Sequence, residues 1–509
     1  MADEATVGLG SSGVSRTSSR RHAARGKRGA GPHGQASWIS SVINLVNTII
    51  GAGALAMPLA MSHMGIVLGV FVILWSGTTA GFGLYLQSRC AQYLERGTAS
   101  FFALSQITYP NAAVIFDAAI AIKCFGVGVS YLIIIGDLMP GVVEGFAGGS
   151  AVYEFLLDRH FWVTAFMLII IPLSYLRRLD SLKYTSIAAL ASMAYLVMLV
   201  LYNFIKGDTV ADRGPIRIIN WAGPVPTLSS LPVIVFAFTC HQNMFSILNE
   251  ISDNSHFKTT SVVFASIGSS AATYILIAIT GYLSFGNSIG GNIVGMYPPG
   301  VYAMIGRAAI VMLVMFSYPL QCHPCRASVD AVLRWRPKSY SSGSDSSPHR
   351  HPLLGPRGNR NREPMSDVRF SIITTSILIL SYVVAITVSS LEAVLAYVGS
   401  TGSTSISFIL PGLFYYKISA PDSPTHQRLM KEDDEAADDF LSGDDEDDLD
   451  HENTLGPQGR RLTDSSTRRC GGRAWRKALL RKLSLGLVVY GFLVMIVCLI
   501  TNTFFIASH

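Results

Sequence analysis

Stretches of about 20 residues that carry almost no charge recur along the chain, and the charged residues gather in the segments between them. As a helix, that length spans a hydrocarbon core roughly 30 Å thick. The apolar runs are continuous and lack the two-residue alternation of barrel strands, so the pattern predicts a bundle of membrane-spanning helices. Eleven spans are predicted, at residues 38–60, 66–88, 113–139, 160–176, 184–205, 228–250, 262–285, 301–322, 370–388, 391–416 and 483–506. The fourth is short, and only "VSSLEAV" separates the ninth from the tenth. Residues 38–417 then form a ten-helix core and 483–506 an eleventh helix. Residues 1–37, 326–368 and 418–482 are too polar to bury a core and are expected to be disordered.

Two spans break this pattern from within. "NTIIGAGALAMPLA" (Asn47 to Ala60) places Gly51, Ala52 and Gly53 about midway through the first span, followed by Pro58. Glycine tolerates nearly any backbone angle, and proline removes a donor and disfavours helical angles in the residue before it. A backbone group freed at this depth costs several kcal/mol if it faces lipid, so a break must face a cavity or ligand. The alternative is a kink, or a face of small residues for close helix contact. The sixth span, "LPVIVFAFTCHQNMFSILNE" (Leu231 to Glu250), holds Thr239, Cys240, His241, Gln242 and Asn243 in sequence. Polar groups at that depth are expected to face the bundle interior and to line a pathway. Interrupted first and sixth helices, five spans apart, are the pattern of a transporter built from two inverted five-helix repeats.

Composition agrees with this reading. Of 509 residues, 50% are hydrophobic and 14% charged, against roughly 25% charged in soluble proteins. With a cytosolic amino terminus, 33 of the 39 Lys and Arg residues fall on the cytosolic face, which satisfies the positive-inside rule. Arg159, Lys206, Arg213 and Arg217 lie on the other face, where the chain also ends, and Lys123 and Arg307 lie inside spans. The basic tail is either a solvated segment or a contact for anionic lipid. The acidic block at 432–452 is either a solvated linker or, through Ser442, a phosphorylation site. These tails are the expected surfaces for cytosolic regulators, and no nucleic-acid partner is expected. The seven cysteines do not form a disulfide framework on the non-cytosolic face, and the single pair in "CHPC" (Cys322 to Cys325) is too little for zinc. No metal or cofactor is expected. No HExxH motif, phosphate-binding glycine loop or Ser/His/Asp set marks an enzyme.

Six segments carry a family resemblance: "SSVINLVNTIIGAGALAMPLA", "KCFGVGVSYLIIIGDLMP", "PLSYLRRLDSLKYTS", "FAFTCHQNMFSILNE", "SYPLQCHPCRAS" and "GSTGSTSISFILPGLFYYK". In order and content they resemble the amino acid/auxin permease family, in particular its fungal vacuolar amino acid transporters and the related animal neutral amino acid transporters. The resemblance covers the membrane core but not the amino-terminal tail, the loop after the eighth span or the acidic loop. It implies an all-α fold of eleven helices in a LeuT-like arrangement, two inverted five-helix repeats plus one helix. It also implies secondary active transport of amino acids. Vacuolar relatives are generally proton-coupled and several animal relatives use sodium. A vacuolar membrane is therefore expected, with the plasma membrane as the alternative.

The residues supply a mechanism beside that resemblance. A half-helix starting near Gly53 would aim its unpaired amides and positive dipole end at a carboxylate, with Ala52, Gly53, Ala54 and Leu55 as backbone donors. Carbonyls freed before Gly51, with the Asn47 and Thr48 side chains, could accept from an ammonium group. Freed carbonyls from Phe236 to Thr239 would complete that site, and Phe238 could wall a side-chain pocket. Tyr131 is either a substrate contact or a packed ring. For the coupling ion, His241 titrates in the relevant range unless it is a neutral histidine bonded to a carbonyl. Lys123 is a second titratable candidate unless it pairs or snorkels. A sodium site would draw on Thr48 and on Ser317 of the eighth span. Ser400 and Thr401 of the tenth span, with Pro58, are candidate gate positions. A nutrient sensor that binds amino acids with negligible turnover is the alternative function.

Overall fold

The computed structural model describes residues 34–147, 153–176, 185–211, 213–334, 365–423, 427 and 464–507. Most of the amino-terminal tail, the loop at 335–364 and the acidic block with Ser442 lie outside these residues. Each of the eleven apolar stretches is helical, the first and sixth as pairs of helices and the tenth as four consecutive segments. Among the described residues nine helices are long and apolar enough to cross a membrane, and a bent pair makes a tenth. The fourth predicted span is an apolar helix of 16 residues.

The bent pair is α1 (Trp38–Ile49) and α2 (Ala52–Met64), which meet at 57°. Ser37 starts α1 by accepting from Ser40 N–H. Gly65 alone joins α2 to α3 (Ile66–Ala91): its φ of 77° favours glycine, and an added Cβ would lie 2.5 Å from Asn220 O. Next come α4 (Phe101–Thr108), α5 (Ala113–Ala147), α6 (Arg159–Ser174) and α7 (Thr185–Lys206). The second half runs through α8 (Pro224–Ala237), α9 (His241–Glu250), α10 (His256–Phe285), α11 (Ile293–Met296), α12 (Val301–Arg334) and α13 (Asp367–Thr387). The tenth span is α14 (Leu391–Val398), two π-helical segments (Gly399–Ser403 and Ser405–Ile409) and α15 (Leu410–Ile418). The last helix, α16 (Asp464–Ala507), begins ahead of the predicted span at 483, because its basic lead is rich in helix-forming Ala, Leu, Arg and Lys.

Corresponding members of the two halves pack on one another. Among the described residues α2 lies on α8 and α1 on α9, while α3 packs on α10 and α5 along α12. Gly128 of α5 admits the Tyr318 ring of α12, which an added Cβ would meet at 3.1 Å. α16 sits outside this paired core, against α15, α8 and the π segments.

Hydropathy does not predict two short helices, α4 and α11. Arg307 holds α11 in place: the buried guanidinium donates to the carbonyls of Val294, Gly295, Tyr297 and Gly141 at 2.6–3.2 Å. The "CHPC" segment is inside α12, and both its cysteines are buried and unbridged. At the face where the chain first enters the bundle, here the proximal face, Ala36 pairs with Ile251 in an isolated bridge. Ala36 N–H donates to Glu250 O at 2.9 Å, and Ser252 N–H donates to Ala36 O at 3.0 Å. The Trp38 indole donates to Ser261 Oγ on α10 at 2.8 Å.

Candidate functional site

Both interrupted helices break as the sequence predicts, and the breaks adjoin. α1 stops at Ile49, and Gly51, with φ −152° and ψ −142°, leads into α2. α8 stops at Ala237, and α9 resumes at His241. The Tyr274 hydroxyl of α10, fully buried, lies 2.6 Å from Ile49 O and 2.9 Å from Ala237 O. Its one proton therefore serves the freed carbonyls of both spans in turn. A second tie joins the other halves: Asn243 Nδ2 donates to Thr48 Oγ1 at 3.1 Å, and the Thr48 hydroxyl donates to Asn44 O at 2.9 Å.

Beside the breaks lies a cavity of about 320 Å³, lined by Asn47, Thr48, Gly51 and Ala52, by Gln242, Asn243, Ser246 and Glu250, and by Tyr131, Ser317 and Gln321. That volume is in the range of small-molecule sites. From Gly51 the cavity runs toward the proximal face past Asn44, Glu250 and Pro324. On the distal side of the breaks, Leu55, Phe236 and Phe238 are buried. Among the described residues the N–H groups of Ala52 and Gly53 have no backbone acceptor, whereas Ala54 N–H reaches Gly51 O at 3.0 Å. The first turn of α2 thus offers donors and a positive dipole end at the break.

Of the residues singled out from the sequence, Asn47, Thr48, Gly51, Ala52, Tyr131 and Ser317 line this cavity. Gly53 is pressed on α8: an added Cβ would lie 2.6 Å from Ala237 Cβ. Ala54 and Leu55 are buried within α2, and Phe236 is buried in α8. Phe238 stacks edge-on against Tyr274, with ring centres 5.2 Å apart, and so backs the break. The Thr239 hydroxyl donates to Val235 O at 2.9 Å and accepts from Ser407 Oγ at 3.2 Å.

The titratable candidates sit away from the cavity lining. His241 is fully buried, with Nε2 3.1 Å from Ala80 O. Gln87 donates to the His241 carbonyl at 3.1 Å, and among the described residues His241 Nδ1 has no hydrogen-bond partner. Lys123 is buried where α5 crosses Gly402, whose added Cβ would lie 2.8 Å from Lys123 Cβ. The Ser400 and Thr401 hydroxyls return to Ala396 O and Tyr397 O, both at 2.7 Å, inside the π segment. Pro58 packs on Gly281 of α10.

Ser246, Glu250 and Gln321, which the sequence pattern does not single out, complete the lining with Gln242 and Asn243. Gln242, Ser246 and Glu250 recur every four residues on α9, as do Ser317 and Gln321 on α12. A polar stripe at that spacing marks one face of a helix and was the available signal. Both amide atoms of Gln242 and Oε1 of Gln321 are buried without a partner among the described residues, and the Gln321 side chain lies beside the Tyr131 hydroxyl.

Paired helix halves meeting at a cavity inside a helical bundle define a LeuT-like transporter fold. Solved structures agree: MhsT in complex with L-phenylalanine matches with a TM-score of 0.53 at 13% identity, covering 91% of this chain and all of that one. The inward-facing conformation of Mhp1 matches at 0.51 and 10% identity, covering 76% and 77%. The chain belongs to the transmembrane amino acid transporter protein family, whose model matches residues 34–434. It is 46% identical over 405 residues to vacuolar amino acid transporter 5 of Schizosaccharomyces pombe, which covers 78% of this chain and 90% of that one. It is 42% identical to vacuolar amino acid transporter 6 of Saccharomyces cerevisiae, covering 77% and 92%. Identity to the sodium-coupled neutral amino acid symporter 2 of Danio rerio is 24%, with 77% of each chain covered.

Proposed function

We propose that this chain moves amino acids across the vacuolar membrane by alternating access, as a proton-coupled symporter running from lumen to cytosol. The observation that carries this reading is the cavity at the paired breaks, where the unpartnered amides of Ala52 and Gly53 stand beside a lining of hydroxyl and amide side chains. The α-carboxylate binds at the head of α2. The α-ammonium is held by Asn47, Thr48 and the carbonyls near the break. Gln242, Gln321 and Tyr131 meet the substrate side chain. Because Lys and Arg concentrate on the proximal face, that face is cytosolic and the cavity is open to the cytosol. Fungal relatives with the name of vacuolar amino acid transporter support the membrane and the substrate class.

One pH unit is worth about 1.4 kcal/mol. A lumen two units more acidic than the cytosol supplies about 2.7 kcal/mol per proton, which sustains roughly a hundredfold amino acid gradient. The test is flux of labelled amino acids into liposomes holding only this protein, under an imposed pH gradient or an imposed sodium gradient. Flux that follows pH and ignores sodium is expected. Flux that follows sodium alone would replace the proton with a cation held by Thr48 and Ser317. Binding without flux under either gradient would make the chain a sensor. In the same assay His241→Ala separates coupling from exchange, since retained pH-driven flux removes that side chain from the proton path.

A further inference from the structure

On the distal face, opposite the mouth of the cavity, three elements meet through a small polar cluster that the substrate site does not use. His63 lies in the last turn of α2, Ser230 in α8 and Glu392 in the first turn of α14. His63 Nδ1 is 2.7 Å from Ser230 Oγ and 3.9 Å from Glu392 Oε1. Ser230 is fully buried, and its hydroxyl lies beside the Glu392 carboxyl. The His63 and Glu392 side chains keep 25% and 27% of their surface, so water reaches both.

A serine hydroxyl has one proton to give. With His63 Nδ1–H donating to Ser230 Oγ, the serine O–H is left free to turn toward the Glu392 carboxylate. A neutral ring keeps this arrangement only as its Nδ1–H tautomer; in the other tautomer Ser230 must choose between two acceptors, and one contact across the helices is lost. A proton on the imidazole fixes Nδ1 as a donor and sets a positive ring against the carboxylate. One neighbouring charge of like sign opposes that proton. Arg217, from the segment before α8, faces His63, and its guanidinium is held by Ser62 O and Asn287 Oδ1, both at 3.1 Å. Tyr282 of α10 occupies the other side of Asn287, at 3.0 Å. Glu392 also borders Gly291 and shares a groove with Asn502 of α16.

We propose that His63, Ser230 and Glu392 form a proton-binding lock that holds the distal mouth closed. α2 and α8 are the half-helices beyond the two breaks, and α14 is the wall they close against. Binding one proton from the distal side joins the three elements. Release of that proton lets α2 and α8 leave α14. An acidic distal compartment then favours the cavity's opening to the opposite side, as in this structure. The identity of that compartment rests on the transporter reading above; the lock does not.

The test places one spin label near the distal end of α2 and one on the distal end of α14 of the full chain in lipid nanodiscs. The distance distribution is followed from pH 8 to pH 5. A lock that takes up one proton changes the ratio of closed to open populations by up to tenfold per pH unit. His63→Gln and Glu392→Gln are each expected to flatten that dependence, and Ser230→Ala to weaken it. His63→Gln keeps a donor and acceptor of similar reach, and Glu392→Gln keeps the shape, so the two check each other for folding. A wild-type pH profile in both would overturn the lock. Amino acid counterflow in liposomes is measured in parallel on the unaltered chain. No counterflow with a titrating distance removes the transport reading alone, and counterflow with a distance that ignores pH removes the lock alone.

Discussion

Removing one oxygen, Tyr274→Phe, tests whether the two breaks are a coupled unit. The ring keeps its burial and its edge-on contact with Phe238, so no cavity term arises. What is lost is the donor shared by Ile49 O and Ala237 O. A buried carbonyl left without a donor costs about 1–3 kcal/mol. Only one proton served both carbonyls, so the expected loss is one such cost and not two. If opening is local, that energy raises the open population of the breaks by about 5- to 150-fold. Hydrogen exchange followed by mass spectrometry reads this directly. Exchange should speed up in peptides covering Ile50–Ala54 and in those covering Phe238–His241, by the same factor. Unchanged exchange, or acceleration at one break only, would refute the shared tether.

Other outcomes follow from particular contacts. Gly53→Ala should lower stability by about 1–3 kcal/mol because its Cβ meets Ala237 at 2.6 Å. Gly51→Ala, with nothing within 4 Å of its Cβ, should leave melting unchanged and weaken amino acid binding, measured by isothermal titration. Gln242→Leu with Gln321→Leu should shift preference from polar toward aliphatic amino acids in competition uptake, and an unmoved ranking would remove these amides from side-chain recognition. Arg307→Met strips four carbonyls of their donor and should cost at least about 3 kcal/mol, seen as a lower unfolding midpoint and faster exchange at Ile293–Met296.

The breaks were legible in the sequence because each has a local cause: small residues, proline and polar groups in an apolar run leave a strong trace. The spans were legible for the same reason. Position relative to the cavity was harder to read. Gly51 and Gly53 are two residues apart and look equivalent, yet one borders open space and the other α8. That difference depends on where α8 crosses, which is a long-range fact. His241 and Gln242 were adjacent candidates of similar polarity. The helical turn sends His241 to Ala80 on α3 and leaves Gln242 at the cavity. Helical phase would have separated them once α9 was known to start at His241. The π segments of the tenth span left no trace in hydropathy, because their wider turns alter phase and not composition.

The bridge between Ala36 and Ile251 makes a lever of α1. With its outer end paired to α9 and its inner end at the break, α1 is a rod of 12 residues, about 18 Å long. A tilt of about 10° sweeps the outer end through roughly 3 Å, the width of a water molecule. If α9 travels with it, both bridge bonds survive the stroke, and the hydrogen bonds that must yield run to α10, from the exposed Trp38 indole to Ser261 Oγ and from Ser266 Oγ to Val42 O at 3.4 Å. Each such bond is worth about 0.5–1.5 kcal/mol, so thermal motion can set the width of the proximal mouth.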